Sequence, residues 1–305
     1  MRLDTIYQLF LCDRDSYCSG RTLEYYKDNI PRFIHFVSEA SQVAPDQVDS
    51  DVITRELVVQ YLGWLRSNNR KNTTINTYFR AVKVFLNYAI DEGYCHPDCL
   101  RKVKFLKSDA SSVVPLSEWE VDDLDGLFNP KLESGIRNLS IVHLMLDAGL
   151  RSSEVVRLRF KDINFTNNYI NVLGKGDKYR TVLLCPKLKR FLFHYLLKFR
   201  NFSQEENYPV FTQIGTSKPI NSNVIKQLFS RCKKQAGIDR LHPHLLRHTF
   251  ATSYILGGGN MEFLRLMLGH SDYETTKIYL HLAQEAKMLH YDIYKLDPIY
   301  FKSLY

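Results

Sequence analysis

Between Ile75 and Ile90, apolar side chains recur at spacings of three and four: Ile75, Tyr78, Phe79, Val82, Phe85, Leu86, Ala89 and Ile90. That period places them on one side of an α-helix, and so wide a stripe has to be covered by other helices. The same spacing joins Thr22, Tyr26, Ile30 and Phe33, and again Val58, Tyr61, Leu62 and Leu65. The first hundred residues are therefore predicted to form a helical bundle. Arg70, Lys71, Arg80 and Lys83 lie beside or opposite the longest stripe. They form either an ordinary charged outer face or a surface that tracks a DNA backbone, and periodicity leaves both open.

The pattern then breaks. Pro97, in Cys95-His96-Pro97-Asp98, has no N–H to continue a helix. Residues 107–112 are polar, small and aperiodic, the character of a linker. A chain of 305 residues has room for two domains. We therefore expect a helical domain over 1–107, a linker over 108–115 and a second domain over 116–305. Ser117-Glu118-Trp119-Glu120 reads as a capping box that opens a helix. The apolar run 141–150 ends around Gly149, a helix stop. Residues 169–173 and 181–184 are β-like, with Gly174-Lys175-Gly176-Asp177 between them, so a hairpin is expected. Helices return from Asn221. Pro243 suits a first helical turn. Ser271-Asp272-Tyr273-Glu274 reads as a second capping box, opening a helix that carries Thr275 to Leu282. The predicted class is mainly α with a small β-sheet or hairpin.

Charge narrows the partner. Lys and Arg number 41 against 33 Asp and Glu, a net charge of +8 that suits a polyanion. Eight of the bases fall within 171–200: Lys175, Lys178, Arg180, Lys187, Lys189, Arg190, Lys198 and Arg200, with Asp177 as the one acid. This segment is expected to face phosphates. Six cysteines make no disulfide framework in a chain of this size, so reduced thiols and a cytoplasmic location are expected. No uncharged apolar run approaches the roughly 18 residues of a membrane span, so no membrane partner is expected. Asp4, Asp13 and Asp15 interrupt the short apolar patch at the N-terminus, which does not read as a signal peptide.

Four clusters are equipped for chemistry: Gly149-Leu150-Arg151-Ser152-Ser153-Glu154, Gly174-Lys175-Gly176, His242-Pro243-His244-Leu245-Leu246-Arg247-His248, and Leu268-Gly269-His270 with Tyr279 nine residues on. His244 and Arg247, three apart near a helix N-terminus, are placed to grip a phosphate through the helix dipole and a guanidinium. The same stretch also reads as histidines filling a helix start. As a metal site, His242, His244 and His248 lack a nearby carboxylate or thiolate. Gly174-Lys175-Gly176 lacks P-loop spacing and the following helix, but as a hairpin tip it carries Lys175 away from the sheet. Cys95, His96 and Cys99 have poor zinc spacing and no partner pair. Taken alone, Arg151 with Glu154 is an ordinary ion pair, and Tyr279 is one tyrosine of 19.

Taken together and in this order, GLRSSE, GKGDKYR, HPHLLRHTFAT and LGHSDYETTKIYLH resemble the successive signature blocks of the tyrosine recombinase (phage integrase) family. The resemblance covers nearly the whole chain and is strongest over 116–282. TTINTYFRAVKVFLNYAIDEGY is similar to the helical core-binding domain of the same enzymes. In length the chain most resembles the compact Xer-like and mobile-element members, which lack the arm-binding domain of larger integrases. The resemblance implies a SAM-like core-binding domain that clamps DNA, followed by a mixed α/β catalytic domain. It implies site-specific cleavage and rejoining of DNA strands through a 3′-phosphotyrosyl link and a free 5′-hydroxyl, with no cofactor, metal or ATP.

Residue by residue, it implies Tyr279 as nucleophile and Arg151 and Arg247 as phosphate clamps. Lys175 would protonate the leaving 5′-oxygen, with Lys178 a second candidate in the same hairpin. His244 would transfer the proton of the nucleophile, His270 would hydrogen-bond the phosphate, and Glu154 would support the site. Arg70, Lys71, Arg80, Lys83, Lys178 and Arg180 are the expected DNA contacts. The implied partners are double-stranded DNA and a tetramer on two DNA sites, built from this chain alone or with a related recombinase. The tail after Tyr279 is then either exchanged between neighbours or packed on its own domain. Two other activities fit the same chemistry or fold: relaxation of DNA in the manner of type IB topoisomerases, and an architectural or regulatory DNA-binding role without turnover. The helix and tail after Tyr279 favour a recombinase over the first, and the complete residue set argues against the second.

Overall fold

Four amphipathic helices account for the first stripe of the sequence: α1 (Leu3–Asp15), α2 (Gly20–Ser41), α3 (Arg55–Ser67) and α4 (Asn72–Asp91). The structure is a computed structural model that describes residues 1–107, 113–174, 178–200, 207–289 and 292–301. These helices belong to the first of two compact units, within Met1–Ser111; the second lies within Ser112–Tyr305. Ser19 and Thr54 cap α2 and α3 by accepting the N–H groups of Thr22 and Leu57. The residues expected to be apolar-facing do bury together: Ile75, Phe79, Val82, Phe85, Leu86 and Ala89 of α4 share a core with Val58, Tyr61 and Leu65 of α3 and Ile30 and Phe33 of α2. Phe10 of α1 completes it, edge-on to Tyr26, Phe85 and Tyr88. Pro97 opens a 3₁₀ turn, Pro97–Leu100. Cys95 and Cys99 are buried in the same core, and burial pushes the Cys95 thiol up to about 12, so it is inert packing rather than a ligand.

The second unit opens with α5 (Glu118–Gly126), and the expected capping box forms: Ser117 Oγ accepts from Glu120 N, and Glu120 Oε2 accepts from Ser117 N at 3.0 Å. Arg240 also forks onto Glu120, at 2.6 and 2.5 Å. The start of the unit is thereby tied to the segment that leads toward His242. After α6 (Glu133–Leu146) and α7 (Ser152–Arg157) comes a three-stranded antiparallel sheet in the order β1 (Ile163–Asn164), β2 (Tyr169–Leu173), β3 (Tyr179–Leu183). The expected hairpin is thus β2–β3, with Ile170 opposite Val182 and Val172 opposite Arg180. The remaining helices are α8 (Pro186–Phe199), α9 (Ser222–Gln235), α10 (Pro243–Leu256), α11 (Met261–Leu268) and α12 (Glu274–Met288). Helix α6 is buried along nearly its whole length, against α8 and α10. The second capping box is not formed. Helix α12 begins at Glu274 itself, too close to the cap to reach back, and Glu274 pairs with Lys277 instead. Asp272 caps the turn, accepting from Thr275 N and Oγ1 at 2.8 Å each. Among the described residues no helix is long and apolar enough to cross a membrane, and no cluster of His, Cys, Asp and Glu is arranged to hold a metal ion.

Helix α6 carries a buried chain of charges that the sequence did not announce. His143 is fully buried, its Nδ1 2.8 Å from Asp147 Oδ2 and its Nε2 2.8 Å from Asp125 Oδ1. Carboxylates only accept, so both ring nitrogens donate and the ring is an imidazolium. Burial alone would strip that proton, but the Asp147 charge and the bonds from both carboxylates outweigh it and push His143 up to about 9. Lys187 Nζ joins Asp125 Oδ2 at 3.0 Å, and the Tyr294 hydroxyl donates to Asp147 Oδ1 at 2.9 Å. The Tyr300 hydroxyl donates to the Asp147 carbonyl. The tail is thereby anchored on the central helix of its own unit.

His143 holds its proton more tightly folded than unfolded. Its stabilisation is therefore complete below the free imidazole value near 6.5 and is lost as pH rises through about 9. His143→Gln should cost roughly 3–5 kcal/mol near pH 6, because it leaves buried carboxylates without their charge partner. The gap between wild type and variant in denaturant melts should narrow steadily toward pH 10. A gap that stays constant across that range would overturn the assignment.

Candidate active site

The site starts from a glycine. Gly149 has φ of 65°, and a Cβ there would lie 2.7 Å from the Phe250 ring, so the turn after α6 requires glycine on both counts. The turn aims the Gly149 carbonyl at Arg247 Nη1 and brings Arg151 to the start of α7. Pro243 opens α10 as expected and puts Arg247 one turn in, buried. Arg247 Nη2 donates to the Leu268 carbonyl at 2.5 Å and lies 3.2 Å from His270 Nε2. Gly269, φ 62°, caps α11 in the left-handed region and turns the chain so that His270 follows.

His270 is locked from both sides. Its Nδ1 is 2.9 Å from Thr276 Oγ1, and Arg247 can only donate, so Nε2 accepts and Nδ1 carries the proton. Burial, and then the charges of Arg247 and Arg151, push His270 down to about 4, so the ring is neutral. Tyr279 lies beside it on α12, only 3% exposed, its ring centroid 6.2 Å from that of His270 at an interplanar angle of 16°. The His248 ring, pushed down to about 4 chiefly by burial, covers another side of Tyr279 at 5.5 Å. Burial raises the Tyr279 phenol above its usual 10, while the Arg247 and Arg151 charges pull it back down.

Glu154 anchors the other half. It is 5% exposed and its two oxygens take four bonds: Oε1 from Arg151 Nη1 (2.9 Å) and Arg180 Nη1 (2.7 Å), Oε2 from Arg151 N (2.7 Å) and Arg180 Nη2 (2.7 Å). Burial opposes its charge, but the Arg180 and Arg151 bonds prevail and hold the carboxyl below its usual range. Two guanidiniums thus share one carboxylate, and a third, of Arg247, is held by carbonyls beside a neutral imidazole and a tyrosine. Such a surplus of fixed donors suits an anion with several oxygens.

Of the residues singled out in the sequence, Arg151, Glu154, Arg247, His270 and Tyr279 are brought together. His244 faces solvent in the first turn of α10; partial desolvation, then His242, Arg247 and Arg151, hold it below its ordinary value. Lys175 lies outside the described residues; on either side of the gap, Gly174 N donates to the Lys178 carbonyl at 2.9 Å. Lys178 is exposed. Arg70, Lys71, Arg80 and Lys83 belong to the first unit, where Arg80 and Lys83 lie 6.0 and 5.4 Å from the centroid of the Phe105 ring.

Arg180 differs from its expected place as a DNA contact. It is turned inward and 10% exposed, and Nε donates to the Met267 carbonyl at 2.6 Å. The basic segment 171–200 is likewise not one phosphate-facing surface. Lys187 meets Asp125, Lys189 meets the Phe165 carbonyl and Asn168 Oδ1 at 2.7 Å each, and Arg200 meets Thr212 Oγ1 at 2.6 Å. These partners lie in other segments: Asp125 and Glu154 offset the charges of Lys187 and Arg180, whereas Lys189 and Arg200 are held by neutral oxygens. Sequence reasoning missed Thr276, and it weighed His248 only as a helix-start histidine or metal ligand, not as a neighbour of Tyr279. The signal for Thr276 is its position three residues before Tyr279, on the same helix face.

A helical domain followed by a mixed domain in which arginines, a histidine and a tyrosine converge defines a class, the enzymes that break and remake DNA strands through a tyrosine. The phage integrase family matches residues 120–286, and the phage integrase SAM-like domain matches residues 6–105. The chain is 30% identical over 276 residues to a tyrosine recombinase of Thermosipho africanus, covering 88% of this chain and 91% of that one. It is 26% identical over 283 residues to tyrosine recombinase XerC of Chlamydia caviae, with the same coverage. In fold it is similar to the Tn1549 transposon integrase, solved in complex with a circular intermediate DNA, with a TM-score of 0.73 at 18% identity over 95% of this chain and 99% of the other. The chain belongs to the phage integrase family of tyrosine recombinases, enzymes of site-specific DNA recombination.

Thr276→Val keeps the side-chain shape and removes the acceptor of His270 Nδ1–H. An unpaired donor there should cost about 1–3 kcal/mol, read as a lower denaturant midpoint at unchanged slope. Nitrogen NMR of His270 should show the Nδ1–H tautomer dominant in wild type and depleted in the variant.

Proposed function

We propose that Tyr279 attacks the scissile phosphate of a double-stranded DNA site, and that the residues around it carry the reaction as the family resemblance implies. The observation that supports this most directly is the stacking of buried Tyr279 on His270, whose Nε2 is bonded to Arg247, all within one chain. In the attack the tyrosine oxygen bonds to phosphorus and the bond to the 5′-oxygen breaks. The phenol proton passes to the His244 side, and Lys175 protonates the departing 5′-oxygen. Negative charge builds on the non-bridging oxygens, where Arg151 and Arg247 meet it. An incoming phosphate takes the Arg247 N–H from His270, and its negative charge works against the burial and the positive charges that keep this ring neutral, so His270 then gains a proton and donates to the phosphate. The 3′-phosphotyrosyl bond keeps the energy of the broken one, and a 5′-hydroxyl from a partner strand reverses the steps.

On this reading residues 1–107 clamp the duplex, with Arg70, Lys71, Arg80 and Lys83 toward phosphates, and residues 116–305 perform the chemistry. Four subunits act on two duplexes, either four copies of this chain or this chain with a related recombinase. Exchange of tails between them requires Tyr294 and Tyr300 to leave Asp147, or a neighbour's tail to take their place.

The test is a duplex from the DNA flanking its own gene, nicked beside the cleavage position so that the covalent intermediate is trapped. Wild type should give a protein–DNA band that survives boiling in detergent. Tyr279→Phe should give none while binding the same duplex with unchanged affinity. Arg247→Ala should slow adduct formation by about 10²–10³-fold, the loss typical of one transition-state donor. An adduct formed by the Tyr279→Phe protein would refute the nucleophile.

A further inference from the structure

The inward turn of Arg180 has a consequence for the clamp. A carboxylate offers about four lone-pair positions, and all four on Glu154 are filled: two by the Arg180 fork, one by the Arg151 backbone N–H and one by Arg151 Nη1. Arg151 therefore gives Glu154 a single guanidinium nitrogen, and its side chain stays 33% exposed. Planar forks prefer to grip carboxylates through two nitrogens. Without its rival, Arg151 would close onto Glu154 through both, drawing inward the donors a phosphate needs.

The seat of Arg180 is built for this. Its Nε is held by the Met267 carbonyl at 2.6 Å. Its stem crosses Gly269, where a Cβ would come within 3.1 Å of Arg180 Cδ. Its backbone is fixed in β3 opposite Val172. One side chain thus ties together the sheet, the start of α7 and the end of α11 just before His270.

We infer that Arg180 is a positioning residue for DNA cleavage: by occupying both oxygens of Glu154 it keeps the guanidinium of Arg151 open toward the phosphate. The inference rests on the recombinase reading above and deepens it. Arg180 touches no reacting atom; it acts through Glu154 on Arg151.

The experiment compares single-turnover adduct formation on the nicked duplex, at saturating DNA, for wild type, Arg180→Gln, Arg180→Lys, Glu154→Gln and the double variant Glu154→Gln/Arg180→Gln. DNA affinity is measured for each across a salt series. Arg180→Gln should slow adduct formation by at least about tenfold, with affinity and its salt dependence unchanged. Arg180→Lys should also be slow, because an ammonium cannot fork across two oxygens. The double variant should react faster than Arg180→Gln alone, since a neutral amide no longer draws Arg151 in. Rate losses that simply multiply in the double variant would overturn the inference. So would weaker binding with a shallower salt slope in Arg180→Gln, which would make Arg180 a phosphate contact. Should Arg180→Gln fail to fold, Arg180→Lys decides alone: a wild-type rate in that folded variant overturns the proposal. Failure of the wild type to form any adduct strikes at the recombinase reading instead.

Discussion

A guanidinium keeps its charge at any pH a folded protein meets, so a buried one must be surrounded by oxygens. Arg247 imposes that constraint on the second unit. Its nearest oxygens are main-chain carbonyls, of Gly149 after α6 and Leu268 at the end of α11. Both come from helix ends, where carbonyls lack an intrahelical partner. Both turns are made by a glycine in the left-handed region, Gly149 and Gly269. The fold therefore spends two helix termini to hold one cation. Carbonyl dipoles satisfy its hydrogen bonds without neutralising its charge, which stays available to an anion.

The same economy explains the imbalance around Glu154. Arg151, Arg180 and Arg247 outnumber the one carboxylate, and His270 is kept neutral first by burial and then by the field they create. This surplus of positive charge is electrostatically unfavourable on its own, and an anion with several oxygens would relieve it. Donors that are already in place when charge develops need no reorganisation at the moment of reaction. Backbone turns hold Arg247, and a shared carboxylate holds Arg151 and Arg180.

Much of this was legible in the sequence because it is local. Apolar spacing places the helices of the first unit, where the stripes of α3 and α4 bury as expected. The Ser117–Glu120 box and the Pro243 start need only neighbouring residues. What stayed illegible depends on distant partners. Arg180 meets a carboxylate 26 residues away, and Lys187 meets one 62 residues away. A run of bases read along the chain says nothing about which acids the fold will bring to it. The same holds for His143, whose two carboxylates arrive from α5 and from the end of its own helix. At Ser271–Glu274 the residues fit the pattern, but a helix starting at Glu274 leaves the cap to Asp272. The tyrosine itself was readable only in company, since nothing local separates Tyr279 from the other eighteen.

The placement of Tyr279 is the final step. Tyr279 is 3% exposed, and burial raises its phenol above the usual value. The rings packed on it, His270 and His248, are both pushed down to about 4, chiefly by burial, so they cover it as weak bases. Helix α12 carries Tyr279, and the tail beyond it is moored at Tyr294 and Tyr300 to Asp147, two residues before Gly149. The mooring point, the Gly149 turn and Arg151 all lie within residues 147–151. The tail thus packs on the segment that leads into the Gly149 turn and Arg151, in the same unit as the helix that carries Tyr279.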